Sequence, residues 1–299
     1  MESYKPFVSI IIPTYKDWDR LLLCVNALLQ QSYPKAFFEV IIVNNNPEDK
    51  APWESSLPNN FMILEEETPG SYAARNTGVK ASKGQIVGFT DSDCIPALTW
   101  IEAAVAFFEE HPATDRIGGR VDLFPLESKY TLAEAYEAVF AFRQEENVKK
   151  QVSVTANMFS RKKVFDKIGL FNSTMFSGGD FEWGIRAGQN GYKIGYSSNV
   201  VVNHPARRDL KQLLNKIKRV ASGKHSMDNN KKNATVRYIS FLYEMRPHVK
   251  EFRHIYTRGK ALNFNLKMRV FMLRYYIRVL RAYEEIRLFN GSKPYYDIQ

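Results

Sequence analysis

Two carboxylates separated by a single residue, Asp91 and Asp93, stand directly after the run Gln85-Ile-Val-Gly-Phe-Thr90. The run is typical of a buried β-strand, and two carboxylates at the end of such a strand are costly without a counter-ion. Mg²⁺ and Mn²⁺ prefer oxygen ligands, and carboxylates with phosphate oxygens and water fill their coordination shell. We therefore predict that Asp91 and Asp93 bind a divalent cation that also holds a diphosphate.

The same spacing recurs at Asp17 and Asp19, so the pattern alone has little specificity. This second pair stands just before an apolar-periodic segment, Leu21–Leu29, and aspartate is favoured at helix N-termini. We interpret it as the start of a helix and predict that it takes no part in cation binding.

A third pair of carboxylates, Asp180 and Glu182, follows the glycines of Ser177-Gly-Gly. Transfer of a group to a hydroxyl needs a base within hydrogen-bond reach of that hydroxyl, and a cation can stabilise a departing diphosphate. We predict that Asp180 is the base and Glu182 a second acid. Two plainer roles stay open, which are a helix cap for Asp180 and an i,i+4 ion pair between Glu182 and Arg186.

Two basic side chains complete this candidate chemistry. Arg75 lies in a segment bounded by Gly70 and Gly78, and a guanidinium at the mouth of a crevice can neutralise phosphate oxygens bidentately. A surface salt bridge is the alternative for Arg75. His204 ends a short apolar strand, where a structural role and a role in binding metal or diphosphate are both open.

The elements that position these residues follow an alternating pattern. Buried strands are predicted at Val8–Pro13, Glu39–Val43, Phe61–Leu64 and Gln85–Thr90, with helical segments between them. Such alternation predicts an α/β fold with a largely parallel central sheet, in which ligands bind beyond the carboxyl ends of the strands. The polar segments after three of these strands are therefore expected to converge in one crevice, and they are Thr14–Lys16, Asn44–Asn46 and Asp91–Asp93.

The second half of the chain changes character near residue 205. Before it we predict a long helix over Ser128–Lys149, a strand over Gln151–Phe159, and short strands at Tyr192–Tyr196 and Val200–Asn203. After it the pattern becomes helical and basic. We therefore predict two domains, one over residues 1–205 and a basic α-helical extension over residues 206–299.

Charge is distributed unevenly between these parts. The whole chain carries +10, whereas residues 205–299 alone hold 22 Lys/Arg against 7 Asp/Glu. In Leu262–Phe289, four basic residues share one helical face, and they are Lys267, Arg274, Arg278 and Arg281. Basic amphipathic helices of this kind bind anionic membranes, but packing against the rest of the protein would explain the pattern equally well. Without a recognised nucleic-acid-binding module, we expect no nucleic-acid partner.

No apolar run approaches the length needed to cross a bilayer, and the N-terminal segment does not resemble a signal peptide. With only Cys24 and Cys94, a disulfide framework is not expected. The expected location is the cytoplasm, with peripheral contact at the inner face of the cell membrane as the open question.

Six segments in fixed order resemble glycosyltransferase family 2. They are VSIIIPTYKDWDRL, IIVNNN, GSYAARNTGVKASKGQIVGFTDSDC, TANMFSRKKVFDKIGLF, GGDFEWGIRAGQNGYKI and VNHP. The similarity spans about Phe7–Pro205. It implies an A-type glycosyltransferase fold, which is Rossmann-like, and a reaction that inverts the anomeric centre.

The resemblance also implies roles for individual residues. It places Pro13, Thr14 and Tyr15 along the nucleotide pocket, and Arg75 and Asn76 beside the base and diphosphate. The remaining positions that it assigns are Asp91 and Asp93 for metal and donor, His204 for metal, Asp180 and Glu182 for catalysis, and Asn157 beside the sugar and acceptor.

One position departs from the family pattern, because Asn44 stands where the family usually has an aspartate that contacts the nucleobase. An amide could still pair with uracil, since it offers both a donor and an acceptor. We favour a UDP-sugar donor, with GDP- and dTDP-sugars as alternatives.

The resemblance therefore predicts an inverting hexosyltransferase. It would move a sugar from a nucleotide-diphosphate sugar, with Mg²⁺ or Mn²⁺, to a hydroxyl of a glycan or lipid-linked glycan in surface polysaccharide biosynthesis. The alternative is a non-catalytic nucleotide-sugar or glycan-binding module of the same fold. A sugar nucleotidyltransferase is excluded, because Pro13-Thr-Tyr-Lys-Asp has no glycine for a phosphate loop.

Overall fold

The computed structural model describes residues 5–227, 234–246 and 248–295. The strands are β1 (Val8–Thr14), β2 (Phe38–Asn44), β3 (Phe61–Glu65), β4 (Ile86–Thr90), β5 (Ile95–Pro96), β6 (Arg116–Phe124), β7 (Asn157–Arg161) and β8 (Ile194–Pro205). The helices are α1 (Trp18–Leu29), α2 (Ser71–Ala81), α3 (Trp100–Glu110), α4 (Leu132–Phe140), α5 (Gln144–Val148), α6 (Lys162–Ile168), α7 (Gly179–Gln189), α8 (Leu210–Met227), α9 (Ala234–Glu244), α10 (Val249–Arg258) and α11 (Phe264–Phe289).

One sheet joins all eight described strands in the order β3-β2-β1-β4-β7-β6-β8-β5. The first four strands of this order are parallel, so that Val8 of β1 lies opposite Phe38 of β2 and Ile86 of β4. The pairings of β7 with β4 and β6, and of β5 with β8, are antiparallel. The predicted α/β fold with its central parallel strands is confirmed.

Burial of the parallel strands explains why they could be predicted from the sequence. All seven residues of β1 and of β2 are buried, as expected where helices cover both faces of a sheet. Helix α1 contributes Leu21, Val25 and Leu28 to the same apolar cluster as Ile10 and Ile12. The carboxyl ends of β1, β2 and β4 therefore lie side by side on a rigid support.

Several predicted boundaries were wrong. The long helix predicted over Ser128–Lys149 is two helices, because the chain breaks between α4 and α5 and Phe142 adopts a left-handed conformation with φ 47°. The strand predicted from Gln151 begins only at Asn157, and the two short strands after Tyr192 form the single strand β8. Strand β6 was not predicted.

The chain divides into two compact units. The sheet unit comprises Met1–Asp122, Phe142–Met175 and Gly179–His204, and the helical unit comprises Leu123–Ala141, Phe176–Gly178 and Pro205–Gln299. The longest segment of the helical unit begins at Pro205, where the sequence changes character. The unit also includes two earlier segments that the prediction placed in the first domain.

The helical unit has its own apolar core. Residues of α4, such as Tyr136 and Val139, cluster with Leu213 of α8, Ile255 of α10 and Ile277 of α11. A capping box starts α4, in which Thr131 and Glu134 satisfy each other's backbone N–H groups. The break after α4 therefore assigns this helix to the helical unit and α5 to the sheet unit.

The basic face predicted on α11 is mostly turned inward. Arg278 is 5% exposed and donates to the carboxylate and the carbonyl of Glu244, with distances of 2.9 and 2.8 Å. Arg274 donates to Glu251 over 2.8 Å and to the hydroxyl of Tyr136 over 3.2 Å. Burial lowers the pKa of Arg281. Arg274 and Arg278 thus bind acceptors within the helical unit, which is the packing alternative that the sequence left open.

None of the helices in the described part of the chain is both long and apolar enough to span a bilayer.

The inward position of Arg278 gives a stability prediction. We expect Arg278→Ala to lower the free energy of unfolding by about 2 kcal/mol, because hydrogen bonds from a charged donor are lost and Glu244 keeps an unpaired carboxylate. Arg269→Ala, an exposed position on the same helix, is the matched control and should change stability by less than about 0.5 kcal/mol. Urea denaturation measures both. Equal stability of the two variants would contradict the structural role of Arg278.

Candidate active site

A compact cluster of groups that could hold a metal ion lies at the carboxyl end of β4. Single ligand atoms of Asp91, Asp93, Cys94 and His204 all lie within 4.8 Å of one another. Nε2 of His204 is 3.5 Å from Oδ1 of Asp93, and the imidazole rests on the ring of Phe142 with 4.7 Å between centroids. The structure therefore brings together the three residues that the sequence analysis proposed as metal ligands.

The cluster fits a divalent cation. Two ligands of one Mg²⁺ are at most about 4.2 Å apart, since each bond is about 2.1 Å long, so the observed spacing needs only a small contraction. Asp91 and Asp93 supply the oxygen donors that Mg²⁺ and Mn²⁺ prefer. The thiol of Cys94 is less suited, because these cations prefer oxygen to sulfur ligands.

Arg75 stands beside this cluster rather than on the surface. Its side chain is 5% exposed, and Nη2 donates to Oδ1 of Asp91 over 2.5 Å. A buried Nε with no hydrogen-bond partner among the described residues remains on the same guanidinium. Arg75 therefore supplies the positive charge that the adjacent carboxylates require, and its contact with phosphate oxygens stays a prediction.

Asp180, at the start of α7, is buried and held by three hydrogen bonds. The hydroxyl of Tyr72 donates to Oδ1 over 2.9 Å, and the backbone N–H groups of Phe181 and Thr155 donate over 3.0 and 3.3 Å. Burial raises the pKa of Asp180, although the Tyr72 hydrogen bond and the charge of Arg75 act in the opposite direction. A carboxylate in this setting is more basic than an exposed one.

The contact between Asp180 and Tyr72 depends on a glycine. A Cβ placed on Gly179 would come within 2.9 Å of the ring of Tyr72, closer than such atoms approach in proteins. Gly178, one residue earlier, has φ +82°, which disfavours other residues. Gly179 therefore lets the start of α7 approach α2, and Gly178 provides the left-handed backbone just before it.

Helix α2 joins the two acidic groups. Tyr72 and Arg75 are three residues apart and lie on one face of this helix, with the Arg75 guanidinium 5.5 Å from the centre of the Tyr72 ring. One residue contacts Asp180 and the other contacts Asp91. The candidate metal ligands and the buried carboxylate are therefore linked through one face of α2.

Glu182 has a different setting from Asp180. Its two carboxylate oxygens accept from Nε and Nη2 of Arg186 at 2.8 and 3.0 Å, which is the i,i+4 pair left open by the sequence. The Arg186 guanidinium in turn donates to the carbonyls of Ile168 and Leu170. The contacts of Glu182 thus fix the preceding loop, and a catalytic role for it stays a prediction.

Three asparagines assigned to substrate binding have their amides engaged inside the protein. Asn76 exchanges two hydrogen bonds with the backbone of Phe171. Asn157 accepts from Trp100 and donates to the carbonyls of Arg120 and Val200. These side chains fix the strands and loops around the site, and their contact with substrate stays a prediction.

Asn44 is similarly occupied. Its amide donates to the carbonyls of Asn46 and Asp49 and accepts from the N–H of Asn46, and the residue is 1% exposed. Both amide protons are therefore used in shaping the loop after β2, so the pairing with uracil considered above has no free donor in this conformation.

The end of β1 lies at the same edge of the sheet. Pro13 and Thr14 are buried, Tyr15 is partly exposed, and the hydroxyl of Thr14 has no hydrogen-bond partner among the described residues. Thr14 is paired in register with Asn44 of β2, so the ends of both strands are adjacent. The predicted convergence of these segments is observed.

Sequence reasoning missed Tyr72 and Phe142. Tyr72 had a usable signal, since it stands one helical turn before Arg75, which had been selected. Phe142 had no such signal in the sequence, because the prediction placed it inside a long helix. Its left-handed conformation and its contact with His204 arise only when the chain folds back.

The model of the family "Glycosyl transferase family 2" matches residues 9–169. Glycosyltransferase AglE of Haloferax volcanii is 37% identical over 229 residues, covering 75% of this chain and 74% of the relative. A Methanococcus voltae protein is 22% identical over 226 residues, covering 70% of each chain. It is named dolichyl N-acetyl-alpha-D-glucosaminyl phosphate 3-beta-D-2,3-diacetamido-2,3-dideoxy-beta-D-glucuronosyltransferase.

Solved structures agree on the fold. The mannosyltransferase PcManGT from Pyrobaculum calidifontis, in complex with GDP-Man and Mn²⁺, superposes with a TM-score of 0.63 at 15% identity, covering 97% of this chain and 89% of that one. Residues 1–349 of Staphylococcus aureus TarS, in complex with UDP-GlcNAc, give a TM-score of 0.54 at 17% identity, covering 98% and 94%. With the family model matching more than half of its length and a relative 37% identical across three-quarters of it, the chain belongs to glycosyltransferase family 2 and is a glycosyltransferase.

Proposed function

We propose that this glycosyltransferase transfers a hexosyl residue, with inversion, from a nucleotide-diphosphate sugar to a hydroxyl of a glycan or lipid-linked glycan in surface polysaccharide biosynthesis. A UDP-sugar is the favoured donor. The observation that carries the proposal is that one face of α2 contacts both acidic groups, through Tyr72 to Asp180 and through Arg75 to Asp91.

The donor side of the site is assigned to the cluster at the end of β4. Asp91, Asp93 and His204 would hold Mg²⁺ or Mn²⁺, which when bound neutralises the charge that develops on the leaving nucleoside diphosphate. Arg75 adds a fixed positive charge to the same place. Both features favour departure of a diphosphate, because its negative charge meets groups that are already oriented.

The acceptor side is assigned to Asp180. Its carboxylate takes the proton of the acceptor hydroxyl, the acceptor oxygen forms a bond to the anomeric carbon, and the bond from that carbon to the diphosphate oxygen breaks. The bonding electron pair leaves with the diphosphate. A single displacement of this kind inverts the anomeric centre, and Asp180 suits it because burial makes its carboxylate more basic.

The nature of the acceptor rests on the relatives. The Methanococcus voltae relative is named for transfer to a sugar carried on dolichyl phosphate, which is a lipid-linked acceptor. A lipid-linked acceptor would place this enzyme at a membrane surface, and we propose a cytoplasmic enzyme in peripheral contact with the inner face of the cell membrane.

The helical unit offers side chains for that contact other than the basic face of α11. We propose that exposed apolar side chains of α9 and α11 together form one surface, called here the apolar surface, and they are Tyr238, Ile239, Leu242 and Tyr243 of α9 and Met268, Met272, Tyr276 and Tyr283 of α11. The opposite side of α11 is already buried in the core of the helical unit, through Val270, Leu273 and Ile277. A helix that is apolar on both sides needs a second partner against which its exposed apolar side chains can be buried.

Charge argues that this partner is an anionic bilayer. The excess of 22 basic over 7 acidic residues in positions 205–299 includes exposed Arg253, Lys260 and Arg269. Aromatic and methionine side chains inserted at the level of the headgroups, with basic side chains near them, are typical of helices that lie on anionic membranes.

The donor assignment gives the first functional prediction. A thermal-shift panel of UDP-, GDP- and dTDP-sugars should show stabilisation by a UDP-sugar that requires Mg²⁺ or Mn²⁺, because a ligand of the folded state raises the melting temperature. Asp93→Ala should lose this metal-dependent shift. Asp19→Ala, an exposed carboxylate on α1, is the control and should keep it. A metal-dependent shift that survives in Asp93→Ala would contradict the assignment.

The assignment of Asp180 as the base gives the second functional prediction. Asp180→Asn should lower turnover by about 10²–10⁴-fold while donor affinity stays within a few-fold. Because burial raises the pKa of Asp180, wild-type kcat/KM should fall, as pH is lowered, at a pH above the ordinary range of aspartate. Asp166→Asn, an exposed carboxylate of the sheet unit, should keep both turnover and pH profile. Wild-type turnover in Asp180→Asn would exclude this residue as the base.

The apolar surface gives the third functional prediction. The wild type should co-sediment with anionic vesicles at low salt, less with zwitterionic vesicles, and less at high salt. Met272→Glu/Tyr276→Glu should lose this binding, whereas Leu23→Glu/Phe37→Glu, at exposed apolar positions of the sheet unit, should keep it. Donor binding should survive in both. If the first variant instead dissociates a dimer and vesicles are never bound, the surface joins two copies of the chain.

A further inference from the structure

The start of helix α1 contacts the metal-binding loop. Asp17 is the residue before α1, yet its side chain accepts no hydrogen bond from the N–H groups of the first helical turn. Its Oδ1 instead accepts from Nε of Arg20 over 2.6 Å, and its Oδ2 accepts from the hydroxyl of Ser92 over 2.7 Å. Asp17 thus stands at the start of the helix, as predicted, but its side chain does not cap the helix.

Ser92 is the residue between Asp91 and Asp93, so this hydrogen bond fixes the centre of the loop. Asp17 is 14% exposed in its side chain, and helix α1 is anchored in the core through Leu21 and Leu28. Because the middle residue of this loop is hydrogen-bonded to a helix that is fixed in the core, the two flanking carboxylates have little freedom to move apart. The hydrogen bond thus restrains the direction in which both carboxylates point.

Arg20 extends the same network to one of the ligands. Its Nη1 lies 3.7 Å from Oδ2 of Asp93, while the other oxygen of that carboxylate faces His204. Arg20 is thereby shared between Asp17 and Asp93. Asp91 has its own partner in Arg75, so each carboxylate of the motif faces one guanidinium.

We propose that Asp17, assisted by Arg20, is a positioning residue of the metal site, which orients Asp91 and Asp93 through Ser92. The inference rests on the proposed function in one respect, namely that Asp91 and Asp93 bind the cation. Groups that hold metal ligands in place typically contribute 10–100-fold to metal affinity. Because Asp17 acts through a neighbouring residue, we expect the lower end of that range.

The experiment measures binding of Mn²⁺ to the full chain in the presence of UDP, by titration calorimetry, together with the melting temperature without metal. Asp17→Ala and Ser92→Ala should each raise the dissociation constant of Mn²⁺ about 10-fold, with little change in melting temperature. The double variant should be no weaker than either single one, because both remove the same hydrogen bond. Ser92→Thr keeps the hydroxyl and should retain wild-type affinity.

Controls separate failure of this inference from failure of the proposed function. Asp19→Ala should bind Mn²⁺ like the wild type, and Asp93→Ala should not bind it measurably. If Asp93→Ala loses Mn²⁺ while Asp17→Ala and Ser92→Ala stay within two-fold of the wild type, the positioning role is overturned. If Asp93→Ala binds like the wild type, the proposed metal site itself is wrong. If Asp17→Ala lowers the melting temperature, Ser92→Ala, which removes the same hydrogen bond, decides the test.

Discussion

Carboxylates gathered at one edge of a sheet repel one another, and the site depends on a positive charge held beside them. Arg75 fulfils this need at Asp91, and its position follows from how closely α2 lies on the sheet. A Cβ on Gly78 would come within 2.5 Å of the Ile11 side chain, so only a glycine lets the helix approach β1 this closely. The same approach brings Tyr72 to Asp180. One helix–sheet contact therefore sets both halves of the site.

The elements that were predictable from sequence are those determined by local pattern. The buried runs of β1, β2 and β4 are continuous in the sequence, and the polar residues that end them mark the edge of the sheet where Asp91 and Asp93 lie. The glycines before Asp180 likewise stand out in the sequence, although the close approach of Gly179 to Tyr72 appears only in the structure. The directions of the Asn44 and Asn76 amides had no such signal, because both depend on backbone groups that only the folded chain brings near. The same holds for Asp17, whose partner Ser92 is 75 residues away.

The arginines of α11 show why charge patterning alone is ambiguous. A basic stripe on a helix has the same sequence pattern whether it faces anionic lipid or buried hydrogen-bond acceptors. Here Arg274 and Arg278 find Glu251 and Glu244 on neighbouring helices, which offsets the cost of burying their guanidinium groups. The exposed side of the helix carries Met272 and Tyr276 instead. Composition identified the helix as unusual, but tertiary partners determined which of its faces is free.

The break at Phe142 has a consequence for modularity. Because α4 belongs to the core of the helical unit while α5 belongs to the sheet unit, the chain enters the helical unit well before residue 205. Truncation at that point would leave the apolar side of α4, including Tyr136 and Val139, without Leu213 and Ile277 to cover it. Recombining the C-terminal region with that of a relative therefore requires exchanging α4 as well. The units are interleaved in sequence, so the region after residue 205 is not a module that can be exchanged by itself.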